Sequence, residues 1–121
     1  MRTSQIGPSG QMLSIELDEL EPPASEATLF EEEIFPLVSG KEHPTLVLID
    51  YKGRRSMSSE HLGYLVRLNH HLQARGGELL ICGLDDRQER LLHLTALDAF
   101  VRILHTRQEA LAAIEEANAA G

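Results

Sequence analysis

Two adjacent serines, Ser58 and Ser59, followed by Glu60 and His61, stand between an apolar run and an amphipathic segment. A helix start leaves its first N–H groups unpaired and partly positive. A hydroxyl there can cap the helix or receive an anionic group. Nucleophilic catalysis asks for more. A Ser59, His61 and Asp50 triad can be drawn, but the G-x-S-x-G elbow is missing and a capping hydroxyl is already engaged. Asp50, at the polar end of the apolar run, is placed like an aspartate that accepts a phosphoryl group, with Asp18 and Glu19 as an acidic pair. Such chemistry needs a nearby cation and hydroxyl, and the matching positions read Leu104-His105-Thr106 and Cys82-Gly83-Leu84.

Other chemistry-bearing residues are scattered. His43, His61, His70, His71, His93 and His105 have no metal-ligand spacing, and His70 and His71 diverge on a helix, so all six are expected at the surface and no metal or cofactor is expected. Glu31, Glu32 and Glu33 read as a solvated helix face rather than a cation site. No phosphate-binding glycine loop occurs. Cys82 lies in the apolar run Leu79-Leu80-Ile81-Cys82, which predicts a buried structural thiol. Arg54 and Arg55 could dock a phosphate or an acidic partner. Gly53 reads as a turn residue needing unusual backbone angles.

The elements that position these residues follow from hydrophobic pattern. Leu46-Val47-Leu48-Ile49 is apolar at consecutive positions, which predicts a central parallel strand covered on both faces. Leu62, Leu65, Val66, Asn69 and Leu72 then mark the inner face of a helix that ends at Gly76-Gly77, a pair suited to a left-handed helix end. Residues 78–83 form the next strand. Upstream, a short edge strand and a turn within residues 1–10 precede a nearly alternating, half-buried strand at residues 12–17. Ser25 caps a helix with Phe30, Ile34, Leu37 and Val38 inward, and Pro36 predicts a kink or end near Phe35. Downstream, Asp85-Asp86 start a helix carrying Leu91, Leu92 and Leu94, residues 100–104 form a strand, and Thr106 with Glu109 opens a last helix with Leu111 and Ile114 inward.

The strand ending in Asp50, then Gly53, the run Ser58-Ser59-Glu60-His61-Leu62-Gly63 and a helix closing in Arg75-Gly76-Gly77 together resemble a STAS domain, the fold of bacterial anti-sigma factor antagonists. The resemblance spans residues 12–116 and includes T-x-L-D-x-F-x-x-I at residues 95–103. That family's loop motif is D-S-[ST]-G-L-G, with its first serine phosphorylated. Ungapped, this serine falls on Ser59, with Ser58 the second choice; the motif Asp is replaced by Ser58, its second hydroxyl residue by Glu60 and its first Gly by His61. The resemblance implies a non-enzymatic module that binds a serine kinase and anti-sigma factor of the histidine-kinase-like ATPase type. The implied contact residues are Asp50, Gly53, Arg54, Arg55, Ser58, Ser59, Glu60, His61, Gly63, Tyr64 and Arg67. Phosphorylation at Ser59 would end that binding. The same fold also serves as an adaptor subunit in transport or signalling assemblies.

Bulk properties agree. The 121 residues suit one domain, 1–121, with residues 1–10 poorly ordered and 117–121 a frayed tail. A net charge of −8, from 19 acidic and 11 basic residues, repels nucleic acid and anionic membrane and favours basic partner surfaces. One cysteine, no leader pattern and no long apolar run point to a cytoplasmic protein without membrane insertion. The expected fold is an α/β sheet of four to five strands, mostly parallel, with about four helices packed on it.

Overall fold

The central strand is β3 (Leu46–Gly53), in which Val47, Leu48, Ile49 and Tyr51 are all buried. The computed structural model describes residues 1–6, 12–40, 44 and 46–120, apart from the side chains of Ile6, Ile114 and 116–120. β2 (Met12–Asp18) and β4 (Glu78–Cys82) flank β3 in parallel, with Ile15, Ile49 and Ile81 in one cross-strand row. β1 (Arg2–Ile6) pairs antiparallel with β2, and β5 (Arg102–Ile103) pairs parallel with β4. The sheet order β1-β2-β3-β4-β5 is therefore an antiparallel edge on a parallel core, as the pattern predicts.

Strand alternation divides the interior in two. Leu13, Ile15, Leu17, Val47, Ile49, Tyr51, Leu79 and Ile81 face the helices α2 (Ser59–Gln73) and α3 (Asp86–Leu94). Met12, Leu48, Leu80 and Cys82 face the opposite side, where Ala110 of α4 (Arg107–Ala120) covers them. This second layer corrects the expectation for β2. Its near-alternating sequence suggested one solvated face, but Met12 and Ser14 are as buried as Leu13 and Ile15. Cys82 is a buried free thiol, pushed up to about 12 first by burial and then by the Asp50 charge.

Between β2 and β3 the chain forms a π-helical stretch (Thr28–Ile34) that passes into one α-helical turn, α1 (Phe35–Val38). Ser25 caps it, its Oγ accepting the Thr28 N–H at 3.1 Å. The Phe35 N–H still bonds five residues back, to the Phe30 carbonyl, and Pro36 sits at the start of the new turn, where its missing donor is tolerated. The proline thus marks a change of winding, not a break. The wider turn also shifts the inner face, so Leu29 joins Phe30, Ile34 and Val38, and Leu37 points outward instead. Arg75 and His71, near the end of α2, close the far end by donating to the carbonyls of Val38, Ser39 and Gly40.

The inner face of α2 comprises His61, Leu62, Leu65, Leu68, Asn69 and Leu72, whereas Val66 is 38% exposed, contrary to its sequence assignment. The helix ends at Gly76, in the left-handed region at φ 76°, with the Gly77 N–H bonded to the Leu72 carbonyl. Of the leucines assigned inward on α3, Leu92 is buried and Leu91 partly so, but Leu94 is 74% exposed. The strand expected at residues 100–104 shrinks to Arg102–Ile103, since Phe100 belongs to the turn after a short 3₁₀ segment (Leu97–Ala99). The Thr106 hydroxyl accepts the Glu109 N–H and Glu109 reaches back to the His105 N–H, so the expected capping box forms one residue wider on its return side. Leu111 is half-buried; the inward placement of Ile114 and the order of residues 7–10, the 116–120 side chains and Gly121 lie outside the described residues.

Candidate functional site

The chain leaves β3 through Gly53, where close approach rather than an unusual φ demands glycine. A Cβ there would lie 2.8 Å from the Leu17 carbonyl oxygen. The unusual angle belongs to Gly83, at φ 74°, whose Cβ would stand 2.6 Å from Asp50 Oδ1. Asp50 is itself buried. It accepts the Lys52 N–H at 2.9 Å and lies 3.8 Å from Arg107, so it braces the strand end, where it borders an open cavity together with Gly83 and His105.

The loop from Arg54 to Ser58 is held from three sides. Glu19 accepts from the backbone N–H groups of Arg55 and Ser56 and from the Ser56 hydroxyl, and the Ser56 and Arg55 hydrogen bonds lower its pKa in that order. Gln88 is buried on α3 and donates to the Arg54 and Arg55 carbonyls at 2.9 and 3.1 Å, while also completing the capping box with Asp85. Arg54 turns inward and is only 2% exposed. Its Nη2 binds Glu26, and its Nε donates to the Ser56 carbonyl and hydroxyl.

Glu26 joins this loop to the helix beneath it. Its second oxygen meets His61 Nδ1 at 2.5 Å, and His61 Nε2 meets the Tyr51 hydroxyl at 2.5 Å. Burial, and then the Arg54 charge, hold the imidazole well down, at about 3. Glu26 does not reverse this, because Arg54 already balances its charge, and a protonated His61 would leave a net positive charge in the interior. Burial raises the Tyr51 pKa, so its hydroxyl keeps its proton. The partners then assign the neutral ring: Nδ1–H donates to Glu26, and Nε2 accepts from Tyr51. Phe30 packs edge-on to His61, 5.3 Å between ring centres.

Above this buried quartet, α2 begins. Ser58 is the N-cap, with extended backbone and its Oγ accepting the His61 N–H at 3.1 Å. Ser58→Ala is expected to cost about 1 kcal/mol of stability, read by urea unfolding; no loss would mean that the cap is dispensable. Ser59 is the first helical residue and is exposed, as are Glu60 and Gly63. Tyr64 stacks on Phe30 at 4.8 Å, and Arg67 lies over Tyr64 and Phe35 while pairing with Glu31 at 3.4 Å.

Thus Ser58, Ser59, Glu60, Gly63 and Arg67 share the outer side of α2, Tyr64 lies half-buried at its edge against the core, and Arg55 flanks its start. Arg54, His61 and Asp50 are corrected to interior positions, and with His61 the expectation of six surface histidines fails. The Ser59, His61 and Asp50 triad does not assemble, because both His61 nitrogens are taken by Glu26 and Tyr51. Glu26, Tyr51 and Gln88 escaped the sequence reading, and Glu19 was read as one of an acidic pair rather than as the loop's anchor, since their partners lie 10 to 37 residues away along the chain and no short-range pattern marks them. Among the described residues no three of His, Cys, Asp and Glu gather as metal ligands, and no helix is long and apolar enough to cross a membrane.

The sequence pattern of the STAS domain matches residues 23–110, which contain the site apart from Leu17 and Glu19. The chain belongs to the STAS domain family. A search of curated proteins gives no match. Among solved structures, the domain resembles a candidate anti-sigma factor antagonist of Thermotoga maritima, with 20% identity, TM-score 0.72 and coverage of 94% of this chain and 93% of that one. It is similar also to the STAS domain of a SulP transporter from Vibrio cholerae (21% identity, TM-score 0.70, 90% and 85% coverage). A sulfate transporter family protein of Wolinella succinogenes gives 16% identity, TM-score 0.67 and 84% coverage of both chains. These similarities establish the STAS α/β fold. In this STAS domain, the position after Glu60 in the loop motif holds a histidine whose ring is structural.

Proposed function

We propose that this STAS domain is a regulatory protein-binding module of the anti-sigma factor antagonist type. It binds a serine kinase that doubles as an anti-sigma factor, of the histidine-kinase-like ATPase type, through residues 58–67 and Arg55, and phosphorylation at Ser59 releases it. The observation that carries this reading is the division of labour between the two serines. Ser58 is committed to capping α2 through His61, whereas Ser59, one residue on, is exposed at the positive end of a 15-residue helix. Gly63 supports the same surface. An added Cβ there would meet nothing within 4 Å, so the fold does not require glycine, although glycine inside a helix costs about 0.5–1 kcal/mol. A bare backbone on the outer side of α2 suits close approach by a partner. Asp50, Arg54 and His61 would act by fixing the loop from within. In this reading the domain binds and regulates without catalysis, in a cytoplasmic location.

The test separates folding from binding. A phosphate brings roughly −1.5 to −2 charges, which a helix N-terminus tolerates but a closed protein contact must desolvate. Ser59→Asp is therefore expected to leave the melting temperature within a few degrees of wild type. It should weaken binding to the kinase encoded nearest this chain at least tenfold, about 1.4 kcal/mol, by calorimetric titration. Incubation with that kinase and ATP should add the mass of one phosphate at Ser59. Unchanged affinity with no modification would rule out the switch. The surviving reading would be a constitutive adaptor in a transport or signalling assembly, in keeping with the overlap with the SulP transporter STAS domain (TM-score 0.70, against 0.72 for the antagonist).

A further inference from the structure

Arginines on this acidic protein are mostly spoken for. Arg2, Arg54, Arg67 and Arg107 pair with carboxylates, and Arg75 binds backbone carbonyls. Among the described residues, the side chains of Arg55, Arg87, Arg90 and Arg102 have no such partner. Three of these four, Arg55, Arg87 and Arg90, line one open groove of about 200 Å³ between the switch loop and α3. Met57, Leu91 and Leu94 also line it, and Leu94 is 74% exposed. The two walls are fixed to each other, because Gln88 of α3 holds the loop carbonyls of Arg54 and Arg55. Three unpaired arginines beside an exposed leucine are a local exception on a chain of net charge −8.

We propose that this groove docks an acidic protein segment that places one large apolar side chain on Leu94 and Met57 and its carboxylates against Arg55, Arg87 and Arg90. The volume admits a single leucine- or phenylalanine-sized anchor, and arginine and methionine are among the residues enriched at protein contacts. Charge complementarity selects the acidic class, since basic segments would be drawn to the rest of the surface and repelled here. The groove is distinct from the outer side of α2, and it does not depend on phosphorylation of Ser59. Its shared use of the switch loop means that a partner engaging both would read the loop from two sides.

The test uses the full chain and two fluorescein-labelled helical peptides with the same leucine stripe, one Glu-rich and one Lys-rich, followed by anisotropy. The Glu-rich peptide is expected to bind at least tenfold more tightly, with affinity falling as salt rises. Leu94→Ser, whose side chain is solvent-facing and should not disturb folding, and Arg87→Glu/Arg90→Glu should each weaken it at least tenfold. Leu37→Ser, an exposed leucine on α1, should leave it unchanged. Equal binding of both peptides, or retention of binding in Leu94→Ser and the double variant, overturns the proposal. So does a wild-type dimer that Leu94→Ser dissociates, because the occupant would then be a second copy. None of these readouts involves a kinase, so failure here is distinguishable from failure of the Ser59 switch.

Discussion

Glu26→Ala is expected to lower the unfolding free energy by about 3–5 kcal/mol, a large fraction of the 5–15 kcal/mol typical of a domain this size. The carboxylate accepts from Arg54 on one oxygen and from His61 on the other, and all three side chains are at most 7% exposed. Removing it leaves a guanidinium in the interior without its directly bonded carboxylate, and the Glu19 charge, which acts on Arg54 without a direct ion pair, is what remains. Arg54 cannot escape by losing its proton. Its Nη1 already lacks a partner among the described residues, and the Ser56 oxygens satisfy only Nε. The loss should be specific to the broken pair. A Glu26→Met/Arg54→Met variant, with no charge to strand, should recover most of it, because replacing a buried ion pair by apolar groups is often neutral. Urea unfolding of the three proteins decides the matter. A single-variant loss below about 1 kcal/mol, or a double variant no better than the single, would mean that Arg54 finds water when Glu26 is gone. Because Arg54 also anchors Ser56, the single variant should loosen the loop ahead of Ser58 and Ser59, seen as faster amide exchange at residues 55–58.

Stability should also fall steeply on mild acidification, and His61 is the cause. In the unfolded chain its imidazole takes a proton near pH 6.5, whereas burial and Arg54 hold the folded group at about 3. Between those values the unfolded state binds one more proton than the native state, so acid favours unfolding. The contribution is fully present above pH 6.5 and is lost progressively below it, at about 1.36 kcal/mol per pH unit. By pH 5 the loss should reach about 2 kcal/mol, well before most carboxylates titrate. Unfolding free energies at pH 7.5, 6 and 5 test this directly. His61→Gln, which keeps an amide donor for Glu26 and has no proton to gain, should flatten the profile over that interval. A wild-type profile that is flat from pH 7 to 5 would show that the folded imidazole titrates normally.

The strands and helices were legible because each carries its instruction in neighbouring residues. Leu46-Val47-Leu48-Ile49 and Leu79-Leu80-Ile81-Cys82 are apolar at every position and became the doubly covered strands β3 and β4. Ser58, Asp85 and Thr106 are caps in sequence and caps in space, since a cap acts within three residues. The errors came where the covering element was distant. The burial of Ser14 depends on α4 folding across the second face, and the turning outward of Leu37 depends on a π-helical winding ahead of Pro36. Leu94 kept its helical spacing but lies beyond the edge of what the sheet covers.

For the candidate site, the sequence alone determined its position: a strand, a loop and a serine pair at a helix start, within a chain whose pattern is that of a STAS domain. Tertiary structure alone decided which groups are surface and which are scaffold. Arg54 and His61 look like contact residues in sequence because the resemblance places them in and beside the loop motif, and polar groups near a helix start usually face water. They are interior because Glu26, 28 and 35 residues upstream, supplies the charge and the acceptor that make their burial affordable. Pairing of that kind depends on where the chain brings distant groups together, and neither composition nor periodicity records it.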